Sequence, residues 1–332
     1  GWIATRSSGM QSDKYGSIAE ITKGLRVVGP NGTVVIRPIP SSSTGPSVRE
    51  MILGSEGRLG VITEATVQVH RVPTKREIIA YLFPTWSAGL AAMHDISASD
   101  AAPSVTRVSD ANETAFSFAT SKAAGLLDKF KSSAFKLFLT KRKGFDLSEM
   151  CLSFIGYEGS EEHVKRTQLL VGEIVKGHGG VRVGSGPGAL YDQKKFDTPY
   201  IRDFLLDRNA LADVSETAAP WAKLEPLYDA AVKAVKDAFT ELGVPGYVMC
   251  HLSHSEHSGA CLYFTFAFPP AEGGDRSPLE QYDVVKSAVQ RSFIDSGGTL
   301  SHHHAVGVEH AAWLADDISP AGVAMIDALL TG

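Results

Sequence analysis

Cysteine is scarce in this chain, and the few present do not pair. Cys151, Cys250 and Cys261 are the only three. An odd number without close spacing excludes a disulfide-stapled scaffold and fits a reducing compartment. Long apolar runs are missing too; nothing approaches the roughly twenty residues of a membrane-spanning helix. There is no basic run, and the net charge is −5, so nucleic acid is not an expected partner. No GxGxxG fingerprint, internal repeat or low-complexity tract appears. The first residues, "GWIATRSSGM", carry no secretory signal and read as the middle of something, which leaves a targeting segment unreadable.

What is there is ordinary for a globular protein: 43% hydrophobic and 21% charged residues. A chain of 332 residues has room for one large or two moderate cores. "LRVVGPNGTVVIR" predicts a hairpin turning at Pro30-Asn31-Gly32, and "VREMILGSEGRLGVITEATVQVHRV" a short helix, a glycine turn and a strand. Pro73 closes this block, which puts a domain boundary near 73–77. Beyond it, strands ("REIIAYLFP", "CLSFIGYE", "YVMCHLS", "ACLYFTFAF") alternate with long helices. Ser160 is an N-cap; Ser277, Pro278 and Glu280 form a capping box with Gly297 as the stop. The pattern predicts an α+β fold in which helices cover one face of a sheet.

Histidine is concentrated. Seven of eleven lie in "HLSHSEH" (251–257) and "SHHHAVGVEH" (301–310). Neighbouring strand residues point to opposite faces, so three consecutive imidazoles do not converge readily on one ion. No metal is expected. A loop cluster of His302, His303 and His304 facing a cleft, able to move protons or hold an anion, fits better. Tyr263 shares a strand face with Cys261 and Thr265, opposite Leu262, Phe264 and Phe266; on that basis alone it reads as a half-buried strand tyrosine. Arg107 and Arg202, taken singly, read as surface residues whose fork geometry also suits a phosphate. The glycine-rich "TRSSGMQSDKYG" and "GSEGRLGVIT" put small residues where backbone approaches something closely, as a pyrophosphate or flavin ring requires.

"GWIATRSSGMQSDKYG", "GPSVREMILGSEGRLGVITEATVQV", "TKRKGFD", "PYIRD", "ETAAPW", "GACLYFTFAF" and "SHHHAVG" occur in this order along essentially the whole chain. Together they resemble the alkyldihydroxyacetonephosphate synthase family, which belongs to the vanillyl-alcohol-oxidase-like flavoproteins. The resemblance implies the later part of a PCMH-type FAD-binding domain over residues 1–75. It implies an FAD-linked oxidase cap domain, an antiparallel sheet covered by helices, over 76–332. FAD contacts are implied for Ala4, Thr5, Arg6 and Ser7 and for Glu56, Gly57, Arg58, Leu59, Gly60, Val61 and Ile62. The family's earlier pyrophosphate loop is not in this sequence, so weak FAD binding is expected of it alone.

The implied reaction exchanges the acyl group of acyl-dihydroxyacetone phosphate for a long-chain fatty alcohol through an adduct at flavin N5. In it Tyr263 transfers a proton, Arg202 binds substrate, and His302, His303, His304 and Arg107 are required for activity. A homodimer with peripheral membrane contact is implied, cytoplasmic or membrane-peripheral in a bacterium and peroxisomal in a eukaryote. Ala305, Val308, Glu309 and His310 depart from the family, which has HHHG and then basic residues. Two other classes stay open: an FAD-dependent dehydrogenase of a 2-hydroxy acid, without its usual His-Gly-Asp-Gly-Asn motif, and a non-catalytic fragment without FAD.

Overall fold

The computed structural model describes residues 1–120, 133–194 and 200–331. Two sheets organise it. The first is three-stranded, in the order β2-β1-β3 (β1 Thr22–Gly29, β2 Gly32–Ile36, β3 Val61–Val67), and wholly antiparallel. Gly29 pairs with Gly32, so the expected hairpin closes on Pro30-Asn31. Leu25, Val27 and Ile52 form a small core on one face, while Val35, Val61 and Val67 lie exposed.

The second sheet has seven antiparallel strands in the order β7-β4-β6-β5-β9-β10-β8. They are β4 Lys75–Phe83, β5 Val105–Ser109, β6 Cys151–Gly159, β7 Val181–Gly184, β8 Leu211–Pro220, β9 Tyr247–Ser255 and β10 Gly259–Phe268. Alternation assigns their two faces. Ile79, Tyr81, Val248, Cys250, Leu252, Leu262, Phe264 and Phe266 point to the main core, packed by the helices Trp86–Ser97, Glu161–Gly177, Trp221–Leu242 and Pro278–Asp295. Phe264, fully buried, meets Phe293 at 5.3 Å; burying a side chain of that size is worth about 2–3 kcal/mol. The helix starts follow the sequence reading: Ser160 accepts from His163 N, and Ser277 and Glu280 form the capping box.

The opposite face corrects the expectation of helices on one side only. Over β4 and β6 it carries a second core of Ala80, Leu82, Leu139, Leu152 and Phe154. Its other half, over β5, β9, β10 and β8, is polar and holds the site described below. Among the described residues no helix is long and apolar enough to cross a membrane.

Asp110 joins these layers. It caps the helix Ala111–Thr120 by accepting from Glu113 N (2.7 Å), and also accepts from Cys250 N (2.9 Å) and the Tyr228 hydroxyl (3.0 Å). Burial outweighs these donors and pushes its carboxyl up from 3.8 to about 7. The folded state therefore holds this proton more tightly than the unfolded chain. The resulting stabilisation is complete below 3.8 and is lost as pH rises through about 7. The urea midpoint of the wild type should fall across that window relative to Asp110→Asn, whose amide does not titrate. Parallel pH profiles for the two proteins would refute the assignment.

Candidate active site

The polar half-face is built strand by strand. On β10, Tyr263 pairs with Glu216 of β8 on one side and with His251 of β9 on the other; directly paired residues share a face. His251 in turn pairs with Ser109 of β5, two residues from Arg107. Glu216, Tyr263, His251 and Arg107 thus cross four strands on one face. His254 reaches the same face through a β-bulge. It lies three positions after His251, an odd offset that points opposite ways in a regular strand. The register shifts between Cys261 and Leu262, so Leu262 faces Leu252 while Cys261 faces His254.

Each charged member is matched. Glu113, buried at the start of its helix, hydrogen-bonds Arg107 and also His251 Nδ1 at 2.9 Å. Arg107 lies 5.6 Å over the Tyr191 ring with a side chain only 15% exposed, so the surface reading given it singly is wrong. His251 stacks on Tyr263 at 4.9 Å.

The histidine run lies, as expected, in a loop, between Asp295 and a short turn at Gly307–His310. It hangs on Glu216, whose carboxylate accepts from the backbone N–H of His302, His303 and His304 (2.9–3.0 Å) and from the Ser301 hydroxyl (2.7 Å). Before it, Thr299 N donates to Ala218 O and Thr217 donates to Thr299 O. Gly298 permits this approach, since a Cβ there would stand 2.5 Å from the Thr217 hydroxyl. The run consequently lies against Tyr263, with His303 stacked at 6.1 Å and His304 edge-on at 5.4 Å.

Burial pushes the Glu216 carboxyl up, but His303, His304 and the hydrogen bonds bring it down to about 2. Burial, together with the neighbouring imidazoles, brings His303 down to about 4, although Glu216 opposes it. Tyr263 is pushed up to about 12 by burial and by the nearby Glu216 and Asp213. At neutral pH the group is therefore an un-ionised phenol beside a proton-accepting imidazole, over a fixed anion. Such a set can pass a proton in either direction.

Arg202, on the helix Tyr200–Leu206, is exposed and 4.0 Å from Asp213, which stands three positions before Glu216 on β8. The residues that depart from the family close the loop. His310 is buried and bonded to Ala305 O (2.8 Å) and Gln290 (3.2 Å), and Glu309 pairs with Lys286 at 2.7 Å.

The two glycine-rich segments meet. Glu56 N donates to Ala4 O (2.9 Å) and Gly54 N to Ile3 O. The Glu56 carboxylate accepts from Val306 N and Gly307 N, both at 2.9 Å, tying these segments to the histidine loop. Gly60, at φ 132°, is where the run packs against β1: a Cβ there would lie 2.6 Å from Val28 O.

Residues 72–329 match the family described as FAD linked oxidases, C-terminal domain. The chain belongs to this family. Curated relatives of this chain include the alkyldihydroxyacetonephosphate synthases of Dictyostelium discoideum (40% identical, 95% of this chain, 51% of the relative) and Trypanosoma brucei brucei (35%, 95% and 51%). A solved structure of an alkyldihydroxyacetonephosphate synthase is 37% identical with a TM-score of 0.75, covering 95% of this chain and 56% of that one. The chain spans about half the length of the curated relatives it matches.

Membership makes FAD the cofactor to be accommodated, and the residues fit it. Gly57 has nothing within 4 Å of where a Cβ would stand, leaving its backbone open, and in the segment joined to it through Glu56 the Thr5 and Ser7 hydroxyls pair at 2.8 Å.

Sequence reasoning missed Glu216, Glu113 and the placement of His251 and His254 on the site face. The placement of His251 was accessible. Val248, Cys250 and Leu252 alternate in register with Phe266, Phe264 and Leu262 on the core face, which turns His251 to the site face; His254 joins it through the extra residue beyond Leu252. Glu216 gave no such signal, because "LADVSETAAP" shows no alternation of large apolar and polar residues. Glu216→Gln keeps the shape but puts an amide N–H₂ among four donors, and should cost about 2–3 kcal/mol. The measurements are urea denaturation and the imidazole NMR signals of residues 302–304, expected to broaden; unchanged stability and sharp signals would contradict the anchoring role.

Proposed function

We propose that this chain supplies the substrate-side half of an alkyldihydroxyacetonephosphate synthase-type enzyme, a transferase of ether-lipid synthesis. Its substrates would be acyl-dihydroxyacetone phosphate and a long-chain fatty alcohol. The observation that carries the reading is Tyr263 held between His251 and the run His302–His304 on one face of the sheet. The names of the relatives similar over 95% of the chain support it.

In this reading residues 1–75 are the later part of the FAD-binding domain and 76–332 the cap. Ala4–Ser7 and Glu56–Ile62 would hold FAD. Bound, FAD supplies an electrophilic, redox-active ring system. The chain's own residues do the rest. Tyr263 exchanges the proton lost from and returned to the substrate carbon, and His303 and His304, neutral at physiological pH, receive it. Arg107, fixed by Glu113, positions His251 behind Tyr263. Arg202, exposed at the rim, takes the phosphate. Both substrates being lipids, a homodimer in peripheral contact with a membrane belongs to the same proposal.

The full-length, FAD-loaded enzyme should convert acyl-dihydroxyacetone phosphate and hexadecanol to ether product. Tyr263→Phe should lose about 100-fold or more of that rate while keeping its FAD. Absence of ether product from the wild type would sink the reading. Reduction of its flavin by D-lactate or glycolate would replace it with the 2-hydroxy-acid alternative.

A further inference from the structure

At the start of the histidine run four ligand-type side chains converge. Nitrogens of His254, His302 and His303 and the Cys261 sulfur offer one atom each, all within 4.8 Å of one another. They come from three places: β9 after its bulge, β10, and the loop fixed by Glu216. The loop is what defeats the sequence argument against convergence. Residues 302 and 303 are not in a strand, and their Nδ1 atoms stand 3.2 Å apart.

We infer that His254, Cys261, His302 and His303 form a binding site for a thiophilic divalent cation of the zinc class. A Cys-His₃ set around zinc needs bond lengths of about 2.0–2.1 Å to nitrogen and 2.3 Å to sulfur, hence ligands about 3.4–3.6 Å apart. The His302 and His303 Nδ1 atoms, at 3.2 Å, are within a few tenths of an ångström of that spacing, and the remaining atoms, all within 4.8 Å, need to close by at most about 1.4 Å.

Three further features point to a cation. His254 is 5% exposed; its Nδ1 bonds Ser253 Oγ at 2.7 Å and its Nε2 has no hydrogen-bond partner. A buried nitrogen left this way is costly unless something takes its lone pair or proton. The charge is favourable too. Glu216 Oε2 lies 3.6 Å from Cys261 Sγ, and Glu256 lies 3.7 Å from His302 Nε2. Thirdly there is an entry path: a cavity of about 240 Å³ is lined by His254, Cys261, His302, Glu256 and Gly259.

Binding replaces the Cys261 thiol proton, which leaves to solvent, and the three imidazoles bind as neutral ligands. An occupied site withdraws His302 and His303 from the cleft, making the cation an inhibitor. Only that consequence rests on the function proposed above; the binding does not.

The test uses full-length, FAD-loaded enzyme, stripped of metal and kept reduced, titrated with Zn²⁺ against a chromophoric chelator and then read by zinc X-ray absorption. One zinc per chain with one sulfur and three nitrogen neighbours is expected. Loss of an outer partner of a metal site costs roughly 10–100-fold, so Cys261→Ser and His254→Gln should each weaken binding at least about 100-fold. Cys261→Ser should also lose the sulfur neighbour, and His94→Gln, at an exposed histidine outside the set, should change nothing. Far-UV circular dichroism and flavin content report folding, and His254→Gln decides alone if Cys261→Ser fails to fold. Zinc without a sulfur neighbour, or equal affinity in wild type and His254→Gln, overturns the site whatever the enzyme's activity.

Discussion

The carboxylate of Glu216 is the interaction on which the site depends. A run of three histidines in a loop has no ladder of its own to hold it, and each of its N–H groups must find an acceptor or water. One buried anion takes all three, together with the Ser301 hydroxyl. An ionised group in the interior is normally expensive, and four donors are what make this one tolerable. Because Glu216 lies directly across the strand pair from Tyr263, satisfying the anion also sets the distance between imidazoles and phenol. Folding and chemistry are specified by the same four hydrogen bonds.

The sheet around it is divided in function along its width. One face is hydrocarbon from end to end. The other is hydrocarbon over β4 and β6 and polar over β5, β9, β10 and β8. The polar half is tolerable because its charges come in matched sets: Glu113 with Arg107 and His251, and Glu216 with the histidine loop. This division gives a rigid floor under groups that must keep their spacing while a substrate changes beside them.

Much of the fold was legible, and for identifiable reasons. Alternation in "ACLYFTFAF" assigned Tyr263 and Cys261 to one face, and capping residues fixed where the helices at 161 and 278 begin. The β1–β2 hairpin was read from Pro30-Asn31-Gly32. The site was half legible. Its histidines and Tyr263 announced themselves by composition and by family resemblance, whereas their partners did not. Glu113 sits on a helix and Glu216 on a strand with no apolar rhythm, and what makes each important is a contact more than a hundred residues away in one case and 85 or more in the other. Arg107 was misread for the same reason: burial of an arginine depends on a partner that local sequence does not reveal. The apolar pairs of β9 and β10 run in one register up to Leu252 and Leu262, so the bulge just beyond them left no mark in either apolar pattern.

Glu56 reaches across 250 residues of chain to the two amides just beyond the histidines. It also sits at positive φ, an uncommon conformation for a side-chain-bearing residue, pinned there by Ala4. The segment that would bracket the flavin and the loop that carries the imidazoles are thus fastened at a single carboxylate. Neither can drift without tugging the other, so cofactor and proton-handling groups keep a shared origin, like two arms pivoted on one pin.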